Sequence, residues 1–192
     1  MAYFVYCRDR PGSLELRSRL VEEHWSFMDG YAEAMIARGP TMAADGTTPT
    51  GSLHLVELPD ADAVRVFAFD EPNYRAGVYE EVLVRRWRNV LGRTMWDFVG
   101  PVPGELRFLI IGSGRPEPIA TADELPGYLA NGGYADRLIA YGPLLSDDGS
   151  AWTGTAILAE LPDRATAEAL LANSPYRYDT IEVHDWCFGG RR

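Results

Sequence analysis

Apolar residues at three- and four-residue spacing predict a helix in the first fifth of the chain. The spacing places them on one face, and Gly39-Pro40 is expected to end the helix. His24 is the polar member of this otherwise mostly apolar face. The face comprises Leu20, Val21, His24, Phe27, Met28, Tyr31, Met35 and Ile36.

Runs of β-branched and aromatic residues predict strands around that helix. A turn at Asp45-Gly46 joins two of them into a hairpin, and Pro72 is expected to stop a second helix. The predicted order is strand 3–7, the helix, a short strand near 41–44, strand 52–58, a helix from Ala61 to about Phe69, and strand 82–87. This order is a βαββαβ module.

The module occurs twice. At an offset of 103, residues 31–60 align without a gap to residues 134–163, and 15 of these 30 positions are identical. Chance would give about two matches. The second copy predicts strand 106–111, a helix ending at Ala140-Tyr141, a hairpin through Asp148-Gly149, helix Arg164–Ala172 and strand Thr180–Trp186. Aligning Trp87 with Trp186 needs an offset of 99, so the second copy has lost four residues after its second helix.

The repeat predicts the domain organisation. The first module spans residues 1–99, a Gly- and Pro-rich linker spans 100–104, and the second module spans 105–192. Each antiparallel sheet has helices on one face only, so its other face needs cover. We expect the two sheets to pack face to face within the chain. A single chain would then be a pseudo-dimer. The oligomeric alternatives are therefore a monomer of this kind and a homodimer of the whole chain.

The composition of the chain limits the classes of molecule that it is expected to bind. The net charge of -10 disfavours nucleic acid and anionic membranes, which leaves a small molecule or a protein. No apolar run approaches the roughly 20 residues that span a bilayer, and the N-terminus lacks a secretion signal, so we expect a cytoplasmic protein. Cys7 and Cys187 form no Cys-x-x-Cys motif and are interpreted as packing residues.

Four segments of the first copy carry a family resemblance: Glu23-His24-Trp25, Gly39-Pro40, Gly51-Ser52-Leu53, and the Glu-Pro-Asn-Tyr-Arg-Ala-Gly run at 71–77. In order and spacing they resemble the YCII-related family of ferredoxin-like proteins, whose members pair as dimeric α+β barrels. The resemblance implies an α+β fold in which two ferredoxin-like modules form an intrachain pseudo-dimeric α+β barrel.

The same resemblance implies a catalytic pair, a helix histidine and the acid before the proline. These map to His24 and Glu71. The family usually has Asp before the proline, and Asp70 stands next to Glu71 as an alternative partner. In the second copy Gly127 aligns with His24, and Asn173-Ser174 replaces the two acids. The resemblance therefore implies an active site in the first copy only.

A histidine on an apolar helix face needs a hydrogen-bond partner, because a buried unpaired polar group costs on the order of 1–3 kcal/mol. A carboxylate would satisfy one ring nitrogen and leave the other as a general acid or base. We therefore hypothesise a cofactor-independent elimination, isomerisation or lyase-type step on a small cyclic or aromatic metabolite. The alternatives are a non-catalytic ligand-binding or interaction scaffold and a cofactor-free oxygenase of the same barrel type.

Further candidates for substrate binding lie on the strands and after Pro72. Tyr6 and Arg8 alternate on one face of the first strand, and Ser52 and His54 alternate on one face of the third. Either set could face the substrate, and Arg8 or Arg75 could bind a substrate carboxylate. The three histidines fall on separate elements without metal-ligand spacing, so neither a metal nor a cofactor is predicted.

Overall fold

Residues 1–100, 102–120 and 125–190 are described by the computed structural model, in which the chain separates into two units. The first unit contains Met1–Val84 together with residues 187–190, and the second contains the described part of Arg85–Trp186. The separation lies earlier in the chain than the repeat boundary expected near residue 100. Pro101 of the expected linker lies outside the described residues, so the domain bounds stay a prediction.

The first unit folds as a βαββαβ module. Its strands pair in the antiparallel order β1, β3, β2, and β4 begins next to β1, where the backbone N–H of Arg10 donates to Val78. The elements are β1 (Ala2–Asp9), α1 (Leu14–Arg19), α2 (Val21–Asp29), β2 (Met35–Met42), β3 (Pro49–Glu57), α3 (Ala61–Phe69), α4 (Pro72–Arg75) and β4 (Tyr79–Trp87).

The second unit repeats this arrangement. Its strands pair antiparallel in the order β8, β5, β7, β6, and the last residues of β4 pair with β6 through Arg86 and Trp87. That pairing explains why residues from 85 onward belong to this unit. The elements are β5 (Leu106–Pro118), α5 (Leu125–Asn131), β6 (Leu138–Leu145), β7 (Ala151–Leu161), α6 (Arg164–Ala172) and β8 (Thr180–Trp186).

The predicted long first helix is wrong in both copies. In the first, α2 ends at Asp29 and β2 begins at Met35, so Gly39-Pro40 lies inside a strand. In the second, β6 begins at Leu138, inside the predicted helix. The residues that begin β2 and β6 are buried and apolar, and periodicity cannot distinguish a short buried strand from a helix. Pairing with β3 and β7 decides the outcome.

The second helix of each copy lies where it was predicted: α3 begins at Ala61 and ends at Phe69, about where expected, and α6 spans Arg164–Ala172. Asp60 begins α3 and Asp163 begins α6, and their side chains accept hydrogen bonds from the backbone N–H of Ala63 and Thr166. Such caps stabilise a helix start by about 1 kcal/mol. Pro72 not only follows the end of α3 but also starts α4, because its fixed φ suits a first helical position.

One hydrogen bond recurs in both units and locates the deletion. In the first, the Tyr79 hydroxyl donates to Ser52 Oγ at 3.4 Å; in the second, the Tyr178 hydroxyl donates to Thr155 Oγ1 at 3.0 Å. Ser52 and Thr155 are 103 residues apart, whereas the tyrosines are 99 apart. The two copies therefore align in three dimensions only if four residues are lost between these positions. Within the described residues, no helix is long and apolar enough to cross a bilayer.

Candidate active site

A cavity of about 390 Å³ lies in the first unit. Its wall combines residues of α1, α2, β2, β3 and α4 with the segment after β8. The lining residues are Arg17, Val21, His24, Trp25, Met28, Arg38, Gly39, Pro40, Pro49, Ser52, His54, Asn73, Phe188, Gly189 and Gly190.

His24 and Glu71 form a hydrogen-bonded pair at this cavity. The Nδ1 atom of His24, on α2, lies 2.5 Å from Oε1 of Glu71, which is the cap residue of α4. The second carboxylate oxygen of Glu71 accepts the backbone N–H of Tyr74 at 2.9 Å. Glu71 is 2% exposed, so both of its oxygens are engaged away from solvent. The pair fixes the His24 ring and leaves Nε2 as its other nitrogen.

Glu71 rather than Asp70 is therefore the partner of His24. Asp70 is exposed and accepts a hydrogen bond from Arg75 at 2.8 Å on the surface. The chain changes direction between the end of α3 and the start of α4, and Glu71 has extended backbone angles there. Consecutive side chains consequently point to different sides.

Arg17 is a site residue that sequence reasoning missed. Its Nη1 donates to Asp9 Oδ1 and Oδ2 at 2.8 and 3.1 Å, and its Nη2 donates to Ser52 Oγ at 2.8 Å. Burial raises the pKa of Asp9 more than the adjacent Arg17 lowers it. Arg17, Val21 and His24 are spaced at i, i+4 and i+7, so extending the apolar face one turn towards the N-terminus would have indicated Arg17.

Ser52 lies at the centre of a buried hydrogen-bond network. Its Oγ accepts from Arg17 and from the Tyr79 hydroxyl, and Tyr79 accepts from Asn73 Nδ2 at 3.2 Å. Burial raises the pKa of Tyr79 well above its ordinary value, so its hydroxyl stays protonated. With two donors directed at Ser52 Oγ, the serine hydroxyl keeps its own hydrogen for another acceptor.

His54 lies on the cavity wall as a neutral imidazole. It is 4% exposed, and its ring packs edge-on against Phe67 and lies 5.9 Å from the His24 ring. Burial holds the pKa of His54 well below its usual range, and the charges of His24, Arg17 and Arg38 lower it further. Its Nδ1 has no hydrogen-bond partner among the described residues.

Residues 187–190 form one wall of the cavity. The backbone N–H groups of Cys187 and Gly189 donate to the carbonyl oxygens of Pro40 and Arg38 at 3.2 and 3.1 Å, which holds the segment against β2. A Cβ at Gly189 would lie 2.7 Å from the Cα of Gly39, so glycine permits this approach. Phe188 contributes an aromatic side chain to the wall. No local pattern in the sequence predicts contact between segments about 150 residues apart.

Strand register explains which predicted residues reach the cavity. Ser52 and His54 pair directly with Cys7 and Val5 of β1, and directly paired residues share one face of a sheet. Tyr6 and Arg8 consequently lie on the opposite face, outside the cavity wall. The Tyr6 hydroxyl is 3.3 Å from Thr41 Oγ1, and Arg8 forms a surface ion pair with Glu81 at 3.1 Å.

Arg75 and His184 also lie away from the cavity wall. Arg75 pairs with Asp70 on the surface, and His184 lies in the second unit, 3.2 Å from Glu182. Among the described residues, no three His, Cys, Asp or Glu side chains are grouped as they would be around a metal ion.

The corresponding positions of the second unit carry different chemistry. Gly127, Tyr141 and Ile157 replace His24, Arg38 and His54. Trp152 is fully buried there and packs against the rings of Tyr176 and Tyr178, with centroids 5.8 and 5.6 Å away. Aromatic packing thus takes the place of the polar groups found in the first unit.

A family model and a sequence relative match the half of the chain that contains the cavity. A family model described as the YCII-related domain matches residues 1–88. Protein YciI from Escherichia coli O6:H1 is 30% identical over 97 residues, which cover 47% of this chain and 99% of YciI. The chain belongs to the YCII-related family. Within this YCII-related chain, the matched residues include both His24 and Glu71.

Two solved structures extend the comparison. The 5-chloro-2-hydroxyhydroquinone dehydrochlorinase from Burkholderia phenoliruptrix AC1100 is 28% identical to the YCII-related chain, covering 48% of it and 99% of the dehydrochlorinase, with a TM-score of 0.45. A candidate chlorite dismutase is 10% identical, covers 97% of this chain and 95% of its own, and has a TM-score of 0.58. This second likeness extends over both units and confirms the predicted fold class, the α+β class of the dimeric-barrel proteins.

Proposed function

We propose that the cavity of the first unit is the active site of a small enzyme in which His24 transfers a proton to or from a small cyclic or aromatic metabolite. The observation that carries this proposal is the 2.5 Å contact between His24, on the cavity wall, and the buried carboxylate of Glu71. The carboxylate holds the Nδ1–H tautomer, so Nε2 is the nitrogen that accepts and returns the proton. The reaction class is an elimination, isomerisation or lyase-type step without a cofactor.

The neighbouring groups have complementary roles in this proposal. When a proton leaves carbon next to a carbonyl or phenol, negative charge develops on the substrate oxygen. Ser52, oriented by Arg17 and Tyr79, is the donor that stabilises this charge. Trp25 and Met28 belong to the apolar lining of the cavity, and apolar surroundings lower the local dielectric and strengthen these electrostatic interactions.

The proposal is tested by measuring turnover of a panel of ring compounds. We would follow hydroxylated cyclohexenones and halogenated hydroquinones by ultraviolet absorbance, looking for loss of water or halide. His24→Ala is expected to lower turnover by about 10²- to 10⁴-fold, the usual contribution of a general acid or base. His184→Ala is the matched control, because His184 also contacts a glutamate but lies in the other unit. Equal turnover by the two variants would favour a non-catalytic ligand-binding role.

A second measurement does not depend on the substrate. Nitrogen-15 NMR of the histidine rings distinguishes the two neutral tautomers, and we expect His24 in its Nδ1–H form. Glu71→Gln keeps a hydrogen-bond acceptor but removes the charge, so the ring should stay oriented while its Nδ1–H signal moves. Glu182→Gln should leave that signal in place. An Nε2–H tautomer of His24 in the unmodified protein would contradict the proposed role of Glu71.

A further inference from the structure

We infer that His54 selects the ligand of this cavity, by donating a hydrogen bond from Nε2 to a second oxygen substituent on the ligand ring. The inference rests on the cavity being the site of the proposed function, and it adds the residue that determines specificity and the substitution of the ring. Three features support it: the position of His54 on the wall, the protonation of its ring, and the apolar residue at the equivalent position of the second unit.

His54 lies on the cavity wall beside the groups of the proposed reaction. It lines the cavity together with His24 and Ser52, and its ring centroid is 5.9 Å from that of His24. Ser52 precedes it by two residues on β3, so both side chains stand on the same face of the strand. A ligand that contacts His24 and Ser52 is therefore within reach of His54.

The surroundings of the His54 ring indicate which nitrogen carries the proton. Nδ1 is inaccessible to solvent and has no hydrogen-bond partner among the described residues. A neutral imidazole has one N–H and one acceptor nitrogen. Buried N–H groups without an acceptor are rarer in proteins than unpaired acceptors. The proton is therefore expected on Nε2, and the ring edge that carries Nε2 is the one that can meet a ligand.

His54 is a hydrogen-bond donor in this arrangement and not a second proton carrier. Burial holds the pKa of His54 well below its usual range, and the charges of His24, Arg17 and Arg38 lower it further. A neutral N–H is satisfied by a carbonyl or hydroxyl oxygen, and proton transfer stays with His24. The two imidazoles consequently have different roles at one cavity.

The repeat shows that the fold does not require histidine at this position. Ile157 occupies the equivalent position on β7 and is fully buried. A buried imidazole with an unpaired nitrogen destabilises a protein relative to an apolar side chain. Residues that break the rules of stable packing in this way are expected at functional sites. A ligand group is therefore the expected partner of His54.

The spacing of Ser52 and His54 indicates where the two oxygens lie on the ring. Residues i and i+2 of a strand are roughly 7 Å apart. This separation suits oxygens on non-adjacent carbons of a six-membered ring, because substituents on adjacent carbons lie much closer together. The expected substrate class is a ring with two such hydroxyl or carbonyl oxygens. The cavity volume of about 390 Å³ is in the range of small-ligand sites.

Isothermal titration calorimetry on the full chain under argon tests this inference. The probes are phenol, with one oxygen, resorcinol and hydroquinone, with two oxygens on non-adjacent carbons, and catechol, with two on adjacent carbons. None carries a leaving group, so binding is measured without elimination. Resorcinol or hydroquinone is expected to bind about three- to tenfold more tightly than phenol, which is the effect of one hydrogen bond. Catechol should show no such gain.

Variants at position 54 identify the donor. His54→Ile should abolish the gain over phenol while phenol itself binds about as before. His54→Gln places an amide N–H near the position of Nε2 and should restore part of the gain. His184→Ala is the control, because His184 lies in the other unit. Circular dichroism of each variant would show that the fold is retained.

Nitrogen-15 NMR of the unmodified protein tests the same donor without any substitution. We expect His54 as the neutral Nε2–H tautomer at pH 7, with an Nε2 signal that moves when the tighter-binding of resorcinol and hydroquinone is added. An Nδ1–H tautomer, or an Nε2 signal that does not move, would contradict the inference.

The calorimetry has three outcomes that would overturn the inference: neither resorcinol nor hydroquinone binds more tightly than phenol, catechol gains as much as they do, or His54→Ile keeps the gain. None of these would affect the loss of turnover expected for His24→Ala. Conversely, a gain that depends on His54, together with full turnover by His24→Ala, would reject the proposed chemistry while leaving the recognition by His54 standing.

Discussion

His54 in β3 occupies the position that Ile157 occupies in β7, 103 residues later in the chain. Both side chains are buried, and each residue is paired with its neighbouring strand at the same place, His54 with Val5 and Ile157 with Ile110. The fold therefore accepts an isoleucine at this position, and the imidazole occurs only in the unit that contains the cavity.

Replacing His54 by isoleucine should stabilise the protein and flatten its response to acid. The unfolded chain takes up a proton near pH 6.5, whereas burial keeps folded His54 neutral. Stability is therefore lost progressively as pH falls below about 6.5. His54→Ile removes this loss, and it also removes a buried unpaired nitrogen, for an expected gain of about 1 kcal/mol. Urea unfolding between pH 7.5 and about 5 measures both effects.

Ile157→Val is the matched control for this experiment. It should cost about 1 kcal/mol at every pH, because only a buried methylene is lost. A His54→Ile protein whose stability falls between pH 7 and 5 as steeply as that of the unmodified chain would show that His54 does not cause the acid response.

Asp45 and Asp148 should make equivalent contributions to acid stability. Hydrogen bonds from Thr48 lower the pKa of Asp45 to about 2, and those from Ser146 and Ser150 lower the pKa of Asp148 to about 2. Each carboxylate therefore favours the folded state above its unfolded pKa near 4, and this contribution is lost as pH falls towards 2. Asp45→Asn and Asp148→Asn should each reduce the loss of stability between pH 4 and 2.

Asp147→Asn is the control for the turn variants, since Asp147 is an exposed carboxylate adjacent to Asp148. Thermal unfolding in citrate and glycine buffers would measure the difference. A change as large for Asp147→Asn as for Asp148→Asn would attribute the effect to net charge rather than to the hydrogen bonds within the turn.

Arg17→Met should destabilise the first unit strongly. The variant leaves the carboxylate of Asp9, whose side chain is 8% exposed, without the Nη1 atom that donates to both of its oxygens. Breaking a buried ion pair by removing one member typically costs about 3 kcal/mol or more. Arg75→Met removes an exposed ion pair and should change the free energy of unfolding by less than about 1 kcal/mol. Similar losses in the two variants would contradict the structural role assigned to Arg17.

Gly189→Ala should release the segment 187–190 from β2. The added methyl group would lie 2.7 Å from Gly39 Cα and 2.8 Å from Pro40 Cδ, so the segment must move. Hydrogen–deuterium exchange should then be faster at the backbone amide of position 189. In the unmodified protein this amide donates to the carbonyl oxygen of Arg38. Gly127→Ala is the control, because a Cβ there meets no atom within 4 Å. Unchanged protection of the amide at position 189 would show that the close approach between Gly189 and Gly39 is not what holds the segment against β2.

Local signals in the sequence were sufficient wherever a feature depends on neighbouring residues. Helices α3 and α6 were predicted at the right places, and in the structure the side chains of Asp60 and Asp163 cap their first turns. The family was identified from short motifs around His24 and Glu71, and the comparison with YciI confirms it. The doubled module was visible because half of thirty aligned residues are identical.

The first helix, which was predicted too long, shows the limit of local sequence signals. Met35 and Ile36 continue the spacing of α2 and are nevertheless the start of β2. The strand is imposed by pairing with β3, in which Met35 pairs with Val56 and Ala37 with Leu55, residues about twenty positions later, while Ile36 lies at an irregularity between them. Helical periodicity in a short apolar run carries no information about that pairing.

The sequence by itself determined the duplicated βαββαβ architecture, the family, and the expectation that His24 pairs with a carboxylate before Pro72. Repeats, caps and motifs are encoded by residues near one another, so they can be recognised without a structure. Tertiary structure alone decided that Glu71 rather than Asp70 meets His24, that Arg17 and Arg38 line the cavity, and that the segment after β8 contributes to its wall. Each of these depends on strand register or on a turn between helices, and a one-residue shift in either would direct a different side chain into the site.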